Sequence, residues 1–397
     1  MKGLDIIYNN ATMDFDKNEF KAFNIEEAQK IYEFHKTIPQ YYETPLVALS
    51  ALAKYYGVSS IFVKDESFRF GLNSFKALGG SFAIGKILAR KLNLKTLDFK
   101  EIMGNKDKIK NVIFTTATDG NHGRGVAWTA EQFGLKSVIY MPKGTKEERI
   151  KNIEKHGSTV KVTDLNYDDT VRVVRNEAYK NDWVIVQDTA WENYEEVPLW
   201  IMQGYLTLAY ESFNILTKEN VTPTHIFIQA GVGALAGSVA AFFSQIYKEK
   251  TKIVIIEPIE AACFYESIKN LKPTKVSGDL NTIMAGLACG EVNPIGWQIL
   301  KNVGAVFIKC SDCISANGMR ILSNPLGSDK RIISGESGAV PMGALDYVLK
   351  RQNYSEIKEK LILNEKSKIL MFSTEGATDF ENYENIVWYG KYCDHLN

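Results

Sequence analysis

The chain is poor in cysteine and histidine, carries no net charge, and has no long apolar run. Its five cysteines (Cys263, Cys289, Cys310, Cys313 and Cys393) are too few, and odd in number, for a disulfide framework. So sparse a set fits a reducing compartment and predicts a cytoplasmic protein. Cys310 and Cys313 form a C-x-x-C, but no second pair stands at zinc-ribbon spacing. The five histidines show no H-E-x-x-H or other paired spacing, so no metal is expected. Lys+Arg and Asp+Glu are both 47, which removes any global pull toward nucleic acid or anionic membranes; neither is expected as a partner. No stretch nears the roughly 18 apolar residues of a membrane-crossing helix. Residues 1–5 lack the apolar core of a signal peptide.

What is present reads as globular: 45% hydrophobic and 24% charged residues over 397 positions, too long for one ordinary core. Short β-branched runs fall at 60–64, 112–116, 137–141, 159–162, 184–187, 225–229, 252–256, 305–309 and 369–372. Amphipathic stretches lie between them, for example 123–133, 145–155 and 200–216. Strand–helix alternation predicts an α/β fold with open parallel sheets and helices on both faces. Many of the runs are nearly all apolar, as strands covered on both sides must be. The charged segment 92–111 reads as an insertion or loop. No Pro/Ser-rich linker divides the chain, so two domains must be interleaved or tightly packed.

Three segments suggest chemistry. Asn73-Ser74-Phe75-Lys76-Ala77-Leu78-Gly79-Gly80 delivers a lysine from a polar turn into a helix-compatible run. Alone, Lys76 reads as a solvated surface group; with Phe75, Ala77 and Leu78 around it, partial desolvation would free its amine for Schiff-base chemistry. Thr115 to Gly123 runs from a strand through Thr118-Asp119-Gly120-Asn121-His122 into a helix. That is either a ligand loop at the carboxyl end of a strand or a plain joint with Asp119 as a cap. Gln229-Ala230-Gly231-Val232-Gly233-Ala234-Leu235-Ala236-Gly237 follows another strand and opens a helix, so its backbone N–H groups can close on a phosphate. Glu257, about 20 residues beyond Gly237, keeps a dinucleotide reading open, although the spacing is G-x-G-x-x-x-G. The G-x-x-x-x-G-K at 80–86 lacks the following Ser/Thr, because Ile87 stands there, and lies inside a helical run; it is not a P-loop.

Taken in order, these segments resemble the β-family (fold-type II) of pyridoxal-phosphate (PLP) enzymes. The resemblance extends from Thr44-Pro45-Leu46 to about Thr378. It implies two interleaved open parallel-sheet domains: residues 1–89 with 188–397 as the larger, PLP-binding one, and 90–187 as the smaller. It implies PLP as cofactor, held by Lys76 as a Schiff base. Asn121 would bond the 3′-oxygen, and Gly231, Val232, Gly233, Ala234 and Leu235 the phosphate. Ser373 or Thr374 would face the pyridine nitrogen, a choice that stays open here. Five further stretches are similar to the diaminopropionate ammonia-lyase branch: 64–67, 118–123, 187–191, 334–338 and 373–376. Where relatives acting on hydroxy-amino acids carry a hydroxyl, this chain has Asp119. The branch implies α,β-elimination of a small amino acid, 2,3-diaminopropionate, through aminoacrylate to pyruvate and two ammonia. Asp119 and Asp188 would be the catalytic carboxylates, and the protein a homodimer. A serine/threonine dehydratase or β-replacement enzyme on the same fold, a catalytically silent binding protein and, more distantly, a nicotinamide enzyme are the competing readings.

Overall fold

In the computed structural model, residues 3–9, 18–118, 120–303 and 305–393 are described. They divide into two compact units. One takes in the described parts of Met1–Ile25, Glu43–Asn73 and Leu208–Asn397; the other comprises Glu26–Tyr42 and Ser74–Thr207. The sequence-based edges near 90 and 187 fall inside the second unit, because the helix Lys76–Lys91 packs on the helices Asn121–Gln132 and Glu196–Gly204.

Eleven strands are present among the described residues: β1 (Leu4–Tyr8), β2 (Leu46–Ala48), β3 (Ser60–Asp65), β4 (Ile113–Ala117), β5 (Lys136–Met141), β6 (Thr159–Val162), β7 (Val184–Ile185), β8 (His225–Gln229), β9 (Lys252–Pro258), β10 (Val306–Cys310) and β11 (Lys368–Ser373). The first unit holds a seven-stranded sheet in the order β1-β10-β9-β8-β11-β3-β2. Its five inner strands are parallel, and β1 and β2 close the edges antiparallel. Every residue of β8 is buried, which is why this strand reads as a continuous apolar run. The second unit holds a parallel sheet in the order β6-β5-β4-β7.

Each sheet has one point where the strand order turns back. In the larger sheet the chain steps from β8 to β9 to β10 on one side, and β11 returns on the other side of β8. In the smaller it steps from β4 to β5 to β6, and β7 returns on the other side of β4. Such switch points open a crevice at the carboxyl ends of the diverging strands, where ligands of open α/β sheets bind.

Glycine shapes the helix that begins at Lys76. A Cβ on Gly125 would stand 3.0 Å from the Ala77 backbone, and one on Gly204 2.4 Å from the Leu78 carbonyl oxygen. Glycine inside a helix costs roughly 0.5–1 kcal/mol relative to alanine; here it lets two helices press against the first turn after Lys76. The amphipathic stretch 200–216 is two helices, Glu196–Gly204 and Leu206–Lys218, broken at Tyr205 beside that tight approach. The segment 92–111 differs from the expected loop. It carries the helix Phe99–Met103, whose Phe99 and Ile102 are buried, with the Phe99 ring 4.9 Å from that of Phe133. Its apolar residues are too sparse to show a period but sufficient to anchor one turn.

Candidate active site

In the smaller unit the switch point lies between β4 and β7, and the chain leaving each strand carries polar groups. Lys76 is the first residue of its helix, with a side chain 18% exposed. Its Nζ donates to Asp188 Oδ2 at 2.7 Å. His122 is buried; its Nε2 bonds the Val186 carbonyl at 2.7 Å, and Nδ1 lies 3.9 Å from Asp188 Oδ2. A carbonyl oxygen only accepts, so Nε2 carries a proton and Nδ1 faces the carboxylate. Burial by itself would raise the Asp188 carboxyl. The neighbouring Lys76 ammonium and His122 ring outweigh it and hold the group well below the usual carboxylate range.

Gln187 sets the shape of this crevice. The β4–β7 ladder ends with Val186 N–H donating to Thr115 O at 2.9 Å. Beyond it, Gln187 Oε1 accepts from Ala117 N at 2.9 Å and Thr116 Oγ1 at 2.8 Å, while Nε2 donates to Tyr167 Oη at 2.9 Å. A side-chain amide thus replaces the backbone bond that diverging strands can no longer make. Asn121 opens the helix Asn121–Gln132. Asp119, the other expected carboxylate, lies outside the described residues.

In the larger unit the switch point lies between β8 and β11. Leaving β8, the segment Gly231-Val232-Gly233 leads into the helix Ala234–Tyr247, whose N-terminal N–H groups precede the first intrahelical bonds. Gly233 has φ +88°, and a Cβ there would come 2.2 Å from the Phe264 ring. A Cβ on Gly231 would meet Gly286 O at 3.0 Å and Cys289 Sγ at 3.2 Å. The loop is therefore a cradle that only glycine fits at these two positions. Leaving β11, Ser373 Oγ donates to Ser334 Oγ at 2.8 Å, and Thr374 Oγ1 accepts from Gln229 Nε2 at 2.7 Å. Gln229 Oε1 and Ser337 Oγ are buried with no hydrogen-bond partner among the described residues. Orphaned buried acceptors and donors of this kind call for a ligand or water. Glycine cradle, helix N-terminus and neutral hydroxyls together suit a phosphorylated heterocycle.

The dinucleotide reading fails on Glu257. Its carboxylate is fully buried and caps the helix Cys263–Lys269, accepting from Phe264 N at 2.8 Å and Tyr265 N at 2.7 Å. Both oxygens are spent within the chain, and none reaches out to a ribose. The 80–86 pattern lies in the interior of the helix Lys76–Lys91, not at its start.

Neither glutamine stood out in the sequence as a site residue. The signal was there: each is the polar residue that ends an apolar strand run. Lys64, Glu66, Arg69 and Glu211, all fully buried, were also passed over. Arg69 pairs with Glu66 at 2.8 Å and with Glu211 at 2.7 Å, and Lys64 with Glu211 at 2.5 Å. Thr44 of the T-P-L segment joins them, its carbonyl accepting from Lys64 Nζ at 2.6 Å.

Known proteins bear on both crevices. The family model described as pyridoxal-phosphate dependent enzyme matches residues 38–365. Diaminopropionate ammonia-lyase of Escherichia coli (strain K12) is 49% identical over 383 residues, 96% of each chain. A crystal structure of the holo form of diaminopropionate ammonia lyase from Escherichia coli matches with a TM-score of 0.90 at 46% identity over 98% of each chain. Another, in complex with an aminoacrylate-PLP azomethine reaction intermediate, matches with a TM-score of 0.90 at 45% identity and the same coverage. The chain belongs to the pyridoxal-phosphate-dependent enzymes and, within them, to the diaminopropionate ammonia-lyase family. Its cofactor is pyridoxal phosphate.

Proposed function

We propose that this chain catalyses the α,β-elimination of 2,3-diaminopropionate to pyruvate and two ammonia. The observation that carries the reading is the Lys76–Asp188 pair at 2.7 Å, in a crevice at a strand switch point. Bound PLP supplies an electron sink for the electrons left when the α-proton is removed. Lys76 is its covalent anchor. Gly231, Val232, Gly233, Ala234 and Leu235 hold the phosphate through backbone N–H groups. Asn121 would bond the ring oxygen, and a hydroxyl at Ser373 or Thr374 would serve the ring nitrogen.

The chain's own residues then handle protons and charge. Asp188, held ionised, is ready to accept a proton, and Lys76 is near enough to exchange one with it. Asp119, two residues before Asn121 in the sequence, is proposed as the second carboxylate, and the enantiomer each carboxylate serves is read by the assay below. A carboxylate in a desolvated crevice also gives the β-ammonium of diaminopropionate a charge-assisted partner. A serine or threonine hydroxyl leaves that carboxylate unpaired, at a cost of about 1–3 kcal/mol. The protein is further proposed to act as a cytoplasmic homodimer, on its family resemblance and its few cysteines; sedimentation of the purified holoenzyme tests the dimer.

The deciding experiment measures pyruvate release from each enantiomer of diaminopropionate beside serine and threonine. Diaminopropionate should lead in kcat/KM by tenfold or more. Equal or faster turnover of serine or threonine would make the chain a dehydratase.

A further inference from the structure

We propose that Gln229 is a positioning residue for the PLP ring nitrogen: it orients the Thr374 hydroxyl so that Thr374, and not Ser373, donates to that nitrogen. The inference rests on the cofactor reading above and resolves the choice left open there.

The argument is one of hydrogen-bond accounting. Gln229 ends β8 and is 2% exposed. The β8–β11 ladder runs in register as far as Phe227 and Met371. One residue beyond it, Gln229 Nε2 reaches the Phe372 carbonyl oxygen at 3.2 Å. A carbonyl oxygen can only accept, so the amide atom facing Phe372 is the nitrogen, and the amide's orientation follows from chemistry alone. The same nitrogen lies 2.7 Å from Thr374 Oγ1. Its second N–H goes there, and Thr374 accepts. The threonine's own proton is left to be donated elsewhere.

Ser373 is in the opposite state. Its Oγ is 2.8 Å from Ser334 Oγ, which is itself 3.4 Å from the Gly335 carbonyl oxygen. That carbonyl can only accept, so the row runs Ser373 to Ser334 to Gly335, and the Ser373 proton is spent inside the protein. Of the two hydroxyls, Thr374 alone has a proton to offer. With one Thr374 lone pair occupied by the amide, the hydroxyl proton is free to point at an unprotonated ring nitrogen, and in this proposal it does so.

The test uses holoenzyme reconstituted with PLP carrying nitrogen-15 in its ring, whose chemical shift reports protonation of that nitrogen directly. The parent and Ser373→Ala should both give an unprotonated signal. Gln229→Glu sets an acceptor against Thr374 Oγ1 and reverses the hydroxyl, so the ring nitrogen should shift to its protonated position, with kcat reduced tenfold or more. Thr374→Val should move the signal as well. If Gln229→Glu folds poorly, Gln229→Met, which removes the amide's donors, makes the same test. A parent-like signal in Gln229→Glu and Gln229→Met, or a moved signal in Ser373→Ala, overturns the proposal. Failure of the underlying reading is separate: borohydride would then leave no pyridoxyl group on Lys76 in the parent.

Discussion

Lys76 Nζ and Asp188 Oδ2 stand 2.7 Å apart although 112 residues separate them in the chain. The carboxylate is held ionised chiefly because the ammonium offsets the cost of burying it. Take that positive charge away and burial alone remains, so the Asp188 carboxyl must move upward. A general base works when deprotonated; activity that depends on Asp188 therefore falls as pH drops through its pKa. Asp188→Asn should retain PLP, lose about 10²–10⁴-fold in kcat and lose the acidic limb of the pH profile. An unchanged limb in the variant would assign it to another group.

Gly233 makes a sharper test of the phosphate cradle than any charged residue nearby. Alanine there must adopt φ +88° and place its Cβ 2.2 Å from the Phe264 ring. Gly278 serves as a control, having φ +125° but nothing within 4 Å of an added Cβ. Gly233→Ala should weaken PLP binding tenfold or more by equilibrium dialysis, and Gly278→Ala should not. Parent affinity in Gly233→Ala would remove the loop from the phosphate.

The Lys64–Glu66–Arg69–Glu211 group is neutral as a set and wholly buried. Removing one member leaves an uncompensated charge, which costs about 3–5 kcal/mol. Glu211→Ala should lower unfolding free energy by that amount in urea, with PLP saturating. A change within about 0.5 kcal/mol, the range of an ordinary surface site, would show that the cluster does not depend on Glu211.

Two buried carboxyls set the pH dependence of stability. Burial pushes Glu257 up to about 8, and burial with Glu375 nearby pushes Glu336 up to about 7. Their ordinary value, which applies in the unfolded chain, is 4.5. Between 4.5 and these raised values the folded state binds more protons, so stability falls as pH rises through that interval and levels off above pH 8. Scanning calorimetry should show Tm decreasing from pH 6 to pH 9 at saturating PLP. A rising Tm would mean that both groups stay ionised when folded.

Much of the fold could be read from the chain itself. The nine runs coincide with β3 through β11; the inner strands among them are apolar because a parallel strand covered on both faces must be, while β6, at the edge of the smaller sheet, is largely exposed. The two strands that were missed, β1 and β2, are the antiparallel edges; half-exposed and short, they carry no such run. Lys76, Asn121 and Gly233 were legible as candidates because each stands at a polar or glycine-bearing turn that opens a helix, whereas Ser373 and Thr374 entered only through the family resemblance.

Tertiary structure decided what composition and order cannot encode: which strands neighbour which, and so where each sheet opens. The return of β11 beside β8 and of β7 beside β4 brings together chain segments far apart in the sequence. Only then does Gln229 find Phe372 and Thr374, and Lys76 find Asp188. The same contacts turn Glu257 from a ribose-binding candidate into a helix cap. Hydrogen-bond capacity is a property of each side chain and can be read from sequence, but how it is spent depends on neighbours that folding alone supplies.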